Sequence, residues 1–291
     1  MVRSPGDVIG NRYRLLTRVG SGAYGVVYRA RDLETRGEVA VKVLRKEAAR
    51  DEELSRRFER EALAMARLRG TAAVYVHALV RDPNGEVSIV MEMLQGQNLE
   101  SFLHEAESRG GRLKKDKTLE ILRPIARTLS QAHEKGILHR DLKPSNIFIV
   151  DAAAGGGVRL MDFGLAKVLG EVSLTAEGMV AGTPSYIAPE AWRGDPHALD
   201  HRIDVYSLAV LVFRCLSGQV PHPTPSLLEL CQWAQNGERP SLKALRKSLP
   251  AAIDSWVDKA LAADPQDRFQ SVAAMWAALE TLLAPPPTAP Y

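Results

Sequence analysis

His139-Arg140-Asp141-Leu142-Lys143-Pro144-Ser145-Asn146 lies between an apolar run that ends at Leu138 and another that begins at Ile147. So polar a stretch between two apolar ones reads as a loop at the edge of a core. A generic surface loop would look similar. This one couples an acid, Asp141, to an amide five residues later, Asn146. A carboxylate can orient or deprotonate a hydroxyl, and an amide oxygen is a hard ligand suited to magnesium.

Working outward, Asp162-Phe163-Gly164 follows a strand-like run over 158–161. It reads either as a second hard-oxygen ligand or as a turn closing a hairpin. Upstream, Val39-Ala40-Val41-Lys42 sits on an expected strand, where a lysine alternating with apolar residues is ordinarily a surface group. The next segment changes that reading. Residues 52–69 place Leu54, Phe58, Ala62, Met65 and Leu68 at helical steps, and Glu61 falls beside this inward stripe. An inward carboxylate is costly unless a cation meets it, and Lys42 is the candidate.

Gly20-Ser21-Gly22-Ala23-Tyr24-Gly25-Val26-Val27 is either a glycine-rich hairpin turn or a loop whose N–H groups approach phosphate. No helix signal follows it, which disfavours a dinucleotide fold. No Lys-Ser or Lys-Thr follows the last glycine, which disfavours a Walker loop.

The 291 residues allow two packed units. Short strand-like runs at 13–19, 26–31, 38–44, 75–80 and 87–92 precede expected helices at 118–135, 203–216, 227–236, 251–263 and 271–283. This order suggests an α+β protein of two lobes, with a boundary near 94–97 and a ligand crevice between them. A net charge of +3, with 45% hydrophobic and 25% charged residues, gives no case for a nucleic-acid partner. The two cysteines, Cys215 and Cys231, form no disulfide framework and suggest a reducing, cytoplasmic setting. No signal peptide or membrane span is legible. The proline-rich stretch 285–291 reads as a linker, so any membrane link is expected only through a segment beyond it.

Taken in order, the glycine loop, Lys42, Glu61, the loop 139–146, Asp162-Phe163-Gly164 and Ala188-Pro189-Glu190 resemble the protein-kinase signature over roughly residues 11–284. The stretches around residues 162–167, 182–190 and 204–208 are similar to the eukaryotic-like serine/threonine kinases of bacteria. The resemblance implies a bilobal kinase fold. It comprises an N-terminal extension (1–10), a β-rich ATP-binding N-lobe with one key helix (11–94), a mainly helical C-lobe (95–284) and the tail.

It also implies roles. Gly20, Gly22 and Gly25 would cover the ATP phosphates, and Lys42, paired with Glu61, would contact them. Asp141 would serve the substrate hydroxyl beside Lys143, and Asn146 and Asp162 would hold magnesium, or manganese in its place. Val27 and Ala40 would lie above adenine and Phe148 below it, a reading compatible with plain core packing for that aromatic. Met91 would stand at the back, and the backbones of Glu92 and Leu94 would make the hinge bonds. Lys143 and Thr183 match the serine/threonine branch, implying protein substrates with such hydroxyls, the chain itself included. Arg140 and Lys167 would receive a phosphate on the loop after Gly164, at Thr175 first and then Ser173 or Thr183; Ser173 and Thr175 also read as plain exposed loop.

Glu190 and Arg268 would form a structural ion pair. Asp204 would brace the catalytic loop, or merely cap a helix. Residues 68–73 lack the His-Pro-Asn turn common in the family, and Ala209 stands where glycine is frequent. A catalytically silent kinase fold and a small-molecule phosphotransferase on a related fold are the competing readings.

Overall fold

The computed structural model describes residues 3–21, 25–45, 51–82, 85–163, 184–193 and 199–284. Six antiparallel strands form the N-terminal sheet: β1 (Val8–Ile9), β2 (Tyr13–Ser21), β3 (Gly25–Asp32), β4 (Glu38–Leu44), β5 (Val76–Arg81) and β6 (Val87–Glu92). Their order is β1-β2-β3-β4-β6-β5. Side chains alternate across β4, as strand geometry requires. Val39, Val41 and Val43 join a small outer core with Tyr13, Leu15, Tyr28 and Val90. Ala40, Lys42 and Leu44 therefore point to the other face.

That face receives helix α1 (Glu52–Ala66). Asp51 caps it, its carboxylate accepting from Glu53 N and Leu54 N at 2.8 and 3.2 Å, which satisfies two of the orphan donors of the first turn. Phe58, Ala62 and Met65 are buried as their spacing predicts. The helix stops three residues before the expected 69, and Leu68 is buried beyond its end.

The C-terminal unit contains α2 (Leu99–Glu107), α3 (Lys115–Glu134), α4 (Arg202–Ser217), α5 (Leu227–Asn236), α6 (Leu242–Leu245), α7 (Ile253–Ala260) and α8 (Val272–Leu283). Helix α4 is buried from Ile203 to Leu216 and forms the axis of this lobe. A second sheet joins β7 (Gly96–Asn98), β8 (Ile147–Val150) and β9 (Val158–Leu160). Gly96, at φ +138°, sits so close to the Ile149 carbonyl that a Cβ could not be placed. Glycine is therefore required where the chain passes between lobes.

The lobes share a core. One apolar cluster runs from Leu44, Phe58 and Met65 through Leu160 and Phe163 to α4 and α8. Backbone bonds stitch the seam, Val74 N donating to Leu160 O (2.9 Å) and Leu160 N to Ala72 O (2.6 Å). Ala209 is fully buried, so its methyl group is accommodated in the core around α4. Among the described residues no helix is long and apolar enough to cross a membrane.

Candidate active site

Asp204, at the start of α4 and fully buried, organises the loop before Asp141. Its carboxylate accepts from His139 N (2.8 Å) and Arg140 N (2.9 Å) and meets His133 Nε2 at 2.8 Å. Burial works against this charge, but the bonds and the two histidines outweigh it and hold the carboxyl below its ordinary range. Its carboxylate bonds the loop backbone, and the start of α4 has no side-chain capping bond. Arg140 is left in the left-handed region at φ +65°, an uncommon state for a side chain of this size. Its Nε is buried without a hydrogen-bond partner among the described residues.

Downstream, Asp141 and Asn146 face one another as their spacing suggested. Asn146 Nδ2 donates to the Asp141 carbonyl (2.8 Å) and to its carboxylate (3.1 Å), and Lys143 Nζ lies 2.9 Å from Asp141 Oδ2. Because Asn146 spends its amide N–H groups on Asp141, its amide oxygen is the atom left to meet a cation.

From the other lobe comes Lys42. Its Nζ lies 2.7 Å from Glu61 Oε1 and 2.8 Å from Asp162 Oδ1. One ammonium thus serves two carboxylates. Glu61 is almost fully buried, and desolvation raises its pKa to about 7 although Lys42 pulls the other way. Burial also opposes the charge on Asp162, but Lys42 dominates and keeps it below the ordinary carboxylate range. For Lys42 burial is again outweighed, by Asp162 and Glu61, and its pKa is raised. Asp162 has φ +48° and a half-exposed side chain.

His139 joins the two groups. Its Nε2 donates to Met161 O (3.0 Å), its Nδ1 accepts from Asp141 N (3.3 Å), and its ring packs 4.8 Å from that of Phe163. Burial lowers its pKa despite nearby Asp204 and Asp141, so the ring is neutral at pH 7. Met161 N donates to Asn146 O at 2.8 Å. The residues around His139 in the sequence assign it no role. Its burial beside two carboxylates has no local pattern to announce it.

Strand register gathers part of the expected nucleotide face. Val27 pairs with Lys42 and Ala40 with Met91. Directly opposed residues share a face, so these four stand together. Leu94 is partly buried against the large core, whereas Phe148 is half-buried and packs on neither core. Glu92 N donates to Tyr75 O (2.9 Å), so any hinge bond from Glu92 falls to its carbonyl. Its carboxylate accepts from Tyr75 N and Arg159 Nε. A Cβ on Gly25 would sit 2.9 Å from Val43 O, whereas one on Gly20 would meet nothing within 4 Å. Packing explains the first glycine and not the second. Gly22, Lys167, Ser173, Thr175 and Thr183 lie outside the described residues.

Glu190 and Arg268 meet in two bonds of 2.7 Å, with the arginine fully buried. An unanticipated network holds Tyr186 a few residues earlier. Arg214 donates to the Tyr186 hydroxyl (3.0 Å) and pairs with Glu100 and Glu107 of α2, while Ser207 donates to the Tyr186 carbonyl (2.7 Å).

Two lobes, a lysine–glutamate pair on one and an acid–amide loop on the other define the architecture of a protein kinase. The family model described as the protein kinase domain matches residues 13–278. The chain is 36% identical over 275 residues to the serine/threonine-protein kinase PknL of Mycobacterium tuberculosis, covering 94% of this chain and 66% of PknL. It is 36% identical over 288 residues to PknB of the same organism, covering 97% of this chain and 45% of PknB. A solved structure, the Mycobacterium tuberculosis PknI kinase domain, superposes with a TM-score of 0.73 at 28% identity, covering 97% of this chain and all of the other. The chain belongs to the protein kinase family. It spans just under two thirds of PknL and less than half of PknB.

Proposed function

We propose that this chain is a serine/threonine protein kinase that transfers the γ-phosphoryl group of ATP to protein hydroxyls. The observation that carries the reading is the meeting of Lys42 with both Glu61 and Asp162, beside an Asp141 held by Lys143 and Asn146. The names of PknL and PknB as serine/threonine kinases, and Lys143 two residues after the acid, support the hydroxyl class.

The donor set fits magnesium, with manganese as a substitute: the half-exposed Asp162 carboxylate and the Asn146 amide oxygen are hard ligands. Bound there, the ion would offset charge on the phosphates. Lys42, held in place by Glu61, binds the α- and β-phosphates. Gly20, Gly22 and Gly25 let the loop approach them closely. Val27, Ala40, Met91 and Phe148 enclose the base, and Glu92 and Leu94 bond it through the backbone. Asp141 orients the acceptor hydroxyl and takes its proton, and Lys143 neutralises charge beside it. The work of the chain is positioning and electrostatics, with no covalent intermediate.

Residues 11–94 serve as the nucleotide lobe and 95–284 as the catalytic and substrate lobe. That Arg140 Nε meets no hydrogen-bond partner among the described residues supports regulation by a phosphate on Thr175, Ser173 or Thr183, added by the chain itself and shared with Lys167. Location is proposed as cytoplasmic, where ATP and reduced thiols coincide.

Incubation with magnesium, γ-labelled ATP and casein tests the activity. Label should enter casein and the chain, and Asp141→Asn should lower the rate by ~10²-fold or more. Transfer undiminished in that variant overturns the reading.

A further inference from the structure

A cavity of about 320 Å³ opens on the side of the N-terminal lobe, apart from Lys42 and Asp141. Its rim is built by the segment that departs from the usual turn of the family. Thr71 there makes its own turn, Oγ1 donating to Leu68 O and accepting from Ala73 N. Gly70, at φ +86°, has nothing within 4 Å of a Cβ position. Small residues and a self-satisfied turn leave space instead of filling it, and the volume lies at the lower end of the range for small-molecule sites, ~300–1,000 Å³.

The lining has a definite charge and shape. Arg159 is offset by Glu92 at 2.9 Å. Arg69 is not offset: its guanidinium lies 4.8 Å from the centre of the Tyr75 ring and makes no hydrogen bond to any described residue. Its donors are therefore available, while stacking limits its orientation. His77 packs edge-on against the same ring at 4.9 Å. Two aromatic rings set at 78° to one another, beside one unoccupied donor fork, match a small body that carries an apolar ring and one anionic group.

We propose that this cavity is a binding site for a small aromatic anion, its carboxylate or phosphate received by Arg69 and its ring packed beside the Tyr75–His77 pair. The cavity also touches Met65 near the end of α1 and Glu92 at the end of β6. An occupant would therefore contact the helix that carries Glu61 without entering the cleft.

The test is an amide-resolved NMR titration of the nitrogen-15-labelled chain with phenyl phosphate. It is run without nucleotide, so its outcome does not depend on the phosphoryl-transfer reading. Saturable shifts should appear at residues 69–77, and Arg69→Gln should weaken them by about tenfold or more. Ala73→Leu, which fills the cavity from its buried side, should abolish them while the spectrum stays dispersed. Benzyl alcohol should bind far more weakly than phenyl phosphate. No saturable shift at 69–77, or equal affinity in Arg69→Gln, overturns the proposal.

Discussion

Lys42 on β4 and Asp162 beside Phe163 lie 120 positions apart in the chain, and their side chains meet at 2.8 Å across the two lobes. The contact places the cation of one lobe against the candidate metal ligand of the other. Everything proposed for the cleft follows from that convergence.

The crowding of two carboxylates around one ammonium gives a pH dependence. Glu61 has a folded-state pKa of about 7, above the ordinary value for a glutamate. Below pH 7 it takes a proton and no longer attracts Lys42 as an anion. An acidic limb in kcat/KM for ATP is therefore expected near pH 7, and Glu61→Gln should flatten it while lowering the plateau. The stability contribution has the corresponding sign: it is fully present below the unfolded pKa of ~4.3 and is lost as pH rises through 7. Profiles of rate and of urea midpoint against pH would check both. A limb unchanged in Glu61→Gln would assign it to another group.

Asp204 predicts a catalytic defect with binding preserved. Among the described residues it bonds the loop through His139 N and Arg140 N, and it also meets the ring of His133 on α3. Asp204→Ala leaves two buried backbone donors without their acceptor and releases Arg140 from its left-handed state. The expected result is a fall in kcat of ~10²-fold with little change in ATP affinity, by analogy with a 1 Å misplacement of a catalytic group. Equal losses in affinity and kcat would point to general unfolding instead.

Arg268 predicts the opposite. It is fully buried and bonds Glu190 twice, the carbonyls of Ala262, Ala263 and Arg202, and the face of Tyr206. Arg268→Ala strands the Glu190 carboxylate, which costs ~3–5 kcal/mol for a buried pair broken on one side. Denaturant unfolding should show that loss. Folded Arg268→Ala should keep its nucleotide affinity.

The motif-bearing parts were legible because their chemistry is local. Strands β4 and β6 and helix α5 have the expected bounds, and Lys42–Glu61, Asp141–Asn146 and Glu190–Arg268 all meet. What escaped depends on distant partners. Helix α2 places Leu99, Phe102, Leu103 and Ala106 at helical steps against the core, but it spans only nine residues, too short a stretch for periodicity to stand out. It is held by Arg214, more than a hundred residues away. The expected helix at 251–263 shortens to α7 because residues 261–263 turn to offer carbonyls to Arg239 and Arg268. The shared core, joining α1 to the helical lobe, is likewise invisible to a reading made segment by segment.

The convergence of Lys42 and Asp162 is tested most directly by calorimetry of ATP binding with and without magnesium. The intact chain should bind ATP more tightly when magnesium is present, and Asp162→Ala should bind it with the same affinity in both conditions. A magnesium response that survives in Asp162→Ala would contradict the account.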